Sequence, residues 1–237
     1  MTNWVSRVLG PMSLRPGFGY TGATYQNATA RFIPFVFATS DTSLVEFTAS
    51  TMRVWINDVL LTRPSVSTAV TNGTFISNIT GWTDSSDVGG AIAWDTGNLL
   101  KLTGNGTARA IASQAVTVIS ADQATEHGLR IIIERGPVTF KVGTSLGDAS
   151  LVSETTLDTG SHSISFTPNA ATFYIQFSST AAYKVRVQQC TVEAAGVVTI
   201  ASPYTASDLS NIRMDQSADV VMLALSLIHI SEPTRPY

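Results

Sequence analysis

Between residues 72 and 193 the chain repeats one pattern: short apolar runs, each closed by Gly, Asn, Asp or Ser. The runs fall at 91–94, 99–103, 108–119, 129–135, 138–144, 151–157, 161–166, 172–178 and 183–192. Turn clusters separate them at 95–98, 104–106, 136–137, 147–148, 158–160 and 168–169. No 3.6-residue period lasts long enough for a helix, beyond a single turn at 121–127. Many short strands at regular spacing predict an all-β fold, an antiparallel β-sandwich of jelly-roll type.

Alternation within the runs assigns faces. Phe173, Ile175 and Phe177 alternate with Tyr174 and Gln176, and Val185, Val187 and Gln189 with Lys184, Arg186 and Gln188. Successive strand residues point to opposite faces, so Phe140, Val142, Ile164, Phe166, Phe173, Ile175 and Phe177 are the expected core. The lone cysteine, Cys190, lies in the last of these runs. It has no disulfide partner and reads as a buried thiol.

The segment before this region differs. Residues 30–61 read as three strands, at 31–37, 44–47 and 52–57, joined by polar turns. In the third, Met52, Val54 and Ile56 offer an apolar face, while Arg53, Trp55 and Asn57 carry the larger or polar groups. Pro34 cannot donate to a ladder, which places the first strand at an edge or a bulge. Residues 63–71 form a polar, Pro-containing crossing, and Asn72-Gly73 is a strong turn pair. After residue 196 come a strand at 197–200, a short helix at 205–211 and an apolar strand at 215–223. The organisation expected is a partial β-domain made of residues 1–66 and 197–224, interrupted by an inserted sandwich at 67–196. Residues 225–235, LSLIHISEPTR, resemble a translated sequencing-library adapter, so 225–237 are expected to be a non-native tail.

Composition narrows the function. Hydrophobic residues are 44% and charged residues 13%, with a net charge of −3. A core is affordable and disorder is not expected. Basic runs of the kind that neutralise phosphates are absent, which argues against sequence-specific nucleic-acid binding. The longest apolar run, 220–230, falls short of the ~18–20 residues of a membrane helix, and residues 1–10 do not read as a secretory signal.

Hydrolytic chemistry in such a chain would fall to its carboxylates. A glycosidase needs two that face each other across a cleft. Asp84, Asp87, Asp95, Asp148, Glu154 and Asp158 lie in or beside turns at spacings that pair none of them. Turns favour Asp for local hydrogen bonding. One short acidic loop, with Asp84 and Asp87, is thin ground for calcium. His127 follows Glu126 in an expected loop, and His162 lies between two serines; neither has zinc-ligand spacing. No enzyme activity, metal or cofactor is expected. Trp82 and Trp94 are the candidate carbohydrate-binding residues, because sugar sites use exposed rings. Packing in the core is the competing reading for both.

Several stretches together resemble a family of phage structural proteins. Arg15-Pro16-Gly17-Phe18-Gly19-Tyr20, Arg31-Phe32-Ile33-Pro34-Phe35-Val36-Phe37, Leu44-Val45-Glu46-Phe47 and Met52-Arg53-Val54-Trp55 stand in its order and spacing. Downstream, Ser202-Pro203-Tyr204, Asp208-Leu209 and Asp215-Gln216-Ser217-Ala218-Asp219-Val220 continue it. The family is the phage stabilisation, or tail tubular protein B-like, tail-nozzle proteins. Two departures stand out: Met1 lies close to the Arg-Pro-Gly turn, and Gly17-Phe18 replaces the commoner Gly-Thr. Asn72-Gly73-Thr74-Phe75 with Gly81-Trp82 resembles the opening of carbohydrate-binding-module-like jelly rolls. The resemblance implies a virion protein made in the bacterial cytoplasm. It would be a subunit of a homo-oligomeric ring that connects to the head and passes DNA, with other tail subunits as partners. The insert would decorate the tail, with a cell-surface glycan as its alternative ligand and no membrane partner. It also implies that this chain is part of a larger protein.

Overall fold

The computed structural model describes residues 4–5, 13–14, 20–38, 41–217 and 220–225. Arg15 to Gly19 of the first motif, Ala218 and Asp219 of the last, and residues 226–237 of the expected tail lie outside the described residues.

Among the described residues the protein is all-β, and its two helical turns are three-residue 3-10 segments. The leading segment supplies β1 (Trp4–Val5), β2 (Ser13–Leu14), β3 (Arg31–Ala38), β4 (Asp41–Thr48), β5 (Thr51–Ile56), β6 (Val59–Leu60) and β7 (Thr62–Arg63). The middle supplies β8 (Thr83–Asp84), β9 (Ala91–Asp95), β10 (Leu99–Thr103), β11 (Ala110–Thr117), β12 (His127–Arg135), β13 (Val138–Gly143), β14 (Val152–Leu157), β15 (Gly160–Phe166), β16 (Thr172–Ser179) and β17 (Val185–Val192). The chain returns through β18 (Gly196–Val197), β19 (Ile200–Ala201), β20 (Ile212–Ser217) and β21 (Val220–Leu225).

The middle folds as two five-stranded sheets, in the orders β15-β12-β17-β10-β9 and β14-β13-β16-β11-β8. All their named pairings are antiparallel. Strands β10 to β17 alternate between the sheets except at the β13–β14 hairpin, so neighbours in a sheet are distant in sequence. That order is a jelly roll, in which each sheet buries one face against the other. Phe75, Phe140, Phe173 and Phe177 are fully buried in the shared core, with Leu100 and Ile131 from the first sheet. Phe177 touches both Phe140 and Trp82, at ring-centroid distances of 5.1 and 5.7 Å. The expected core residues are buried except Ile164, which is half-buried against the cluster. Val185 and Val187 are buried opposite the wetter Lys184 and Gln188, as the alternation requires.

The chain divides into two compact units: 50–54 with 60–203, and 1–49 with 55–59 and 204–237. The division falls several residues outside the expected joints at 66 and 197. The reason is a pair of short ladders. Gly196 and Val197 pair with Arg63 and Thr62, and Ile200 and Ala201 pair with Met52 and Thr51. These strands therefore belong with the sandwich.

In the other unit β3 pairs with β4 antiparallel, with Pro34 opposite Leu44. β4 is the only strand within this unit that pairs with β3 among the described residues, so the proline stands on an edge strand, where its missing N–H is not needed. Gln216 covers part of that edge: the Val36 N–H donates to Oε1 at 3.2 Å, and Nε2 donates to the Val36 carbonyl at 2.6 Å. Ile33, Phe47, Leu209 and Ile212 are buried.

Three local expectations are corrected. In β5 the buried residues are Arg53 and Trp55, whereas Ile56 is 41% exposed. Trp55 is held inward by a carboxylate: Glu46, fully buried, accepts bonds from Trp55 Nε1 and the Tyr25 N–H, each at 2.8 Å. Asn57 is not in the strand; with Asp58 it forms a left-handed pair, φ 50° and 63°, the two-residue turn that joins β5 to β6. The expected helix at 205–211 shrinks to a 3-10 turn at Leu209–Asn211. The expected strand at 215–223 is two strands, β20 and β21, paired antiparallel.

Candidate functional site

The two tryptophans sit in different surroundings. Trp82 is 7% exposed and packs between Phe75 and Phe177. A ring enclosed in this way presents no face to a sugar, so Trp82 is a core residue. Trp94 lies on β9, the outer strand of its sheet, and is 37% exposed. Its Nε1–H donates to the Phe75 carbonyl at 2.8 Å, which fixes the indole at the sandwich edge.

Of the six candidate carboxylates, all but Asp158 have polar partners at their side chains. Asp84 accepts from the Ser86 and Ile92 N–H groups. Asp87 accepts from the Arg109 side chain and N–H, at 3.0 and 3.1 Å. The Arg109 guanidinium holds the Asp87 carboxyl below its usual range. Asp148 caps its own loop through Ser150, the Thr144 N–H and the Ala149 N–H, and these bonds lower its pKa. Burial pushes Asp95 up, but the Thr96 N–H and the charges of Lys184 and Arg186 outweigh it, so its carboxyl also titrates low. Glu154 lies 3.4 Å from Lys141. A carboxylate that already has its donors is poorly placed to act as a general acid or base. Among the described residues no three His, Cys, Asp or Glu side chains gather as metal ligands.

The two described histidines, His127 and His162, are also structural. His162 Nε2 contacts the Asp158 carbonyl at 2.8 Å. His127 is not in a loop: it opens β12, is fully buried, and stacks on Phe166. Its Nδ1 lies 2.9 Å from the Thr125 carbonyl, which can only accept, so Nδ1 carries a proton, and Nε2 lies 2.8 Å from the Thr68 hydroxyl.

The strongest charge constellation was invisible in the sequence. Arg63, 7% exposed, donates from Nε to Glu193 at 2.7 Å, from Nη1 to Glu126 at 2.6 Å and from Nη2 to the Ser163 hydroxyl at 3.1 Å. Arg130 joins Glu193 from the other side at 2.8 Å and donates to the Thr199 carbonyl at 2.6 Å. These partners are 63 to 130 residues from Arg63, so no local spacing announces them. The cluster lies where the crossing strands β7 and β18 pair, beside a cleft of about 450 Å³ lined by Arg63, Arg130, Gln189, Thr191 and Thr199. Two arginines against two glutamates leave no net charge. A largely buried, internally paired set of this kind fixes geometry rather than recruiting an ion.

No protein-family model matches the chain, and no curated protein matches it at a significant level.

Proposed function

We propose that the protein is a non-catalytic structural subunit of a phage tail, a nozzle-type ring component that carries a jelly-roll insert. The observation that carries this reading is the meeting of motif pieces from both sides of the sandwich. Phe47 of the Leu44-Val45-Glu46-Phe47 stretch packs edge-on against Tyr204 of Ser202-Pro203-Tyr204, with ring centroids 5.6 Å apart. Gln216 of the last motif bonds the backbone of Val36 in the first strand. These contacts span more than 150 residues of sequence, as an interrupted domain requires. The local use of the acidic groups supports a role without catalysis.

The test is negative-stain electron microscopy of the purified product of the gene. Closed rings are the expected outcome. A strictly monomeric product across the concentration range would overturn the reading.

Glycan binding by the sandwich is the second reading. The partly exposed indole of Trp94 favours it.

A further inference from the structure

The outer face of the sheet β14-β13-β16-β11-β8 is unusual. Alternation turns Tyr174, Gln176 and Ser178 of β16 away from the core, and likewise Thr139 and Lys141 of β13. The register puts Ser178 opposite Thr139 and Ile111, and Thr139 opposite Thr156. Gln176 stands between Lys141 and Ser113. Outward side chains on an open sheet are expected to be wet. Here Ser178, Gln176 and Ser113 are only 8%, 6% and 3% exposed. They floor a hollow.

At one end of the hollow is a pocket of about 290 Å³, at the small end of the range for ligand clefts. Its lining includes the hydroxyl residues Thr139, Thr156, Ser178 and Thr180 and the ring of Tyr183, and no lining residue is charged. Among the described residues the Ser178 hydroxyl and the Gln176 amide make no hydrogen bond to protein, yet neither is sealed in: their polar atoms still reach the surface, open to water or a ligand. A ligand hydroxyl can meet these groups in place of water. Tyr183 is held from outside the pocket: the Arg135 guanidinium lies 5.0 Å from its ring centroid, and its hydroxyl donates to the Gly136 carbonyl at 3.4 Å. A fixed aromatic wall costs little further entropy on binding.

We propose that this pocket binds one neutral saccharide unit, the end of an oligosaccharide whose chain runs along the Gln176 hollow. Vicinal sugar hydroxyls donate and accept, matching Ser, Thr and amide groups, while the C–H face of the sugar packs on the Tyr183 ring. A metal ion would find no carboxylate, imidazole or thiolate in the lining, and an anion no cation. The proposal rests on the glycan reading of the sandwich, but it stands on this pocket's own uncharged, hydroxyl-rich lining rather than on Trp94, and it moves the site away from Trp82 and Trp94.

The test uses the whole chain on an array of neutral oligosaccharides (glucans, mannans, galactans and N-acetylhexosamine polymers) beside acidic ones. The strongest neutral binder is then titrated by calorimetry against Tyr183→Ala, Thr156→Val and Trp94→Ala, each checked for an unchanged melting temperature. Both pocket variants are expected to weaken binding about tenfold, the size of loss when a site's aromatic or hydrogen-bonding partner is removed, and Trp94→Ala to leave it within about twofold. Loss on Trp94→Ala with both pocket variants unaffected would overturn the pocket and leave the glycan reading standing. A flat array, or a preference for acidic glycans, would overturn the proposal outright. Ring assembly is scored separately and depends on neither outcome.

Discussion

The Cys190 N–H donates to the Gly73 carbonyl at 2.7 Å, and a Cβ added to Gly73 would stand 2.0 Å from the Cys190 carbonyl oxygen. The two backbones are in direct contact, so there is no room for any side chain at position 73. Gly73→Ala must push two main-chain segments apart. We expect a loss of at least ~1–3 kcal/mol, the usual range for overpacking. Urea unfolding followed by tryptophan fluorescence reads it directly. A midpoint equal to the parent's would show that the segments separate freely.

Cys190 itself is fully buried, and burial pushes its thiol far above the ordinary range. The thiolate is the reactive form, so the native protein should resist thiol reagents. An aromatic disulfide reagent is expected to leave the folded chain unlabelled and to titrate one thiol per chain after guanidinium unfolding. Stoichiometric labelling under native conditions would mean that β17 opens readily.

What could be read from the sequence follows from the range of the forces involved. The inward set of β16, Phe173, Ile175 and Phe177, was legible because burial there is decided by hydrophobicity, and alternation reports it faithfully. In β5 the same rule chose the wrong face. A buried carboxylate, Glu46, draws in the Trp55 indole, and the nearby aliphatic side chains are left wetter. Residues 205–211 read as a short helix. Instead the Asp208 carboxylate bonds back to the Thr205 hydroxyl and N–H, and the turn closes on itself. Asn72-Gly73 was recognisable as a turn, but the close approach that demands glycine comes from a residue more than 100 positions away. The pocket beside Tyr183 was hidden for a similar reason. Thr139, Thr156 and Ser178 are ordinary strand residues until the register aligns them.

The arginine cluster gives a prediction that separates buried from exposed ion pairs. Arg63 and Glu193 have side chains only 6% and 5% exposed, whereas Glu126 is 41% exposed. Arg63→Ala leaves the Glu193 carboxylate sunk with Arg130 as its one remaining cation. Breaking a buried pair costs ~3–5 kcal/mol, and Arg130 keeps the loss near the lower figure. Glu126→Ala removes a wetter contact and should cost ~1 kcal/mol or less. In thermal melts the first variant should fall several degrees further than the second. Equal shifts would show that the cluster contributes only through surface electrostatics.

Acid should loosen the protein through its turn aspartates. Asp148 accepts from the Ser150 hydroxyl and from the Thr144 and Ala149 N–H groups, and Asp87 pairs with Arg109. The side-chain bonds from Ser150 and from Arg109 are the leading causes that lower these two carboxyls from the ordinary value of 3.8. A group whose folded pKa is depressed contributes stability above its unfolded pKa. That contribution fades as pH falls through the unfolded value and is gone below the folded one. The melting temperature should therefore hold down to about pH 5 and drop increasingly below pH 4. Both groups are solvent-facing, so each effect is small, and the informative measurement is the change of slope. The double variant Asp87→Asn with Asp148→Asn should start lower at neutral pH and show a shallower fall between pH 5 and pH 3. Parallel curves for parent and variant would place the acid sensitivity elsewhere.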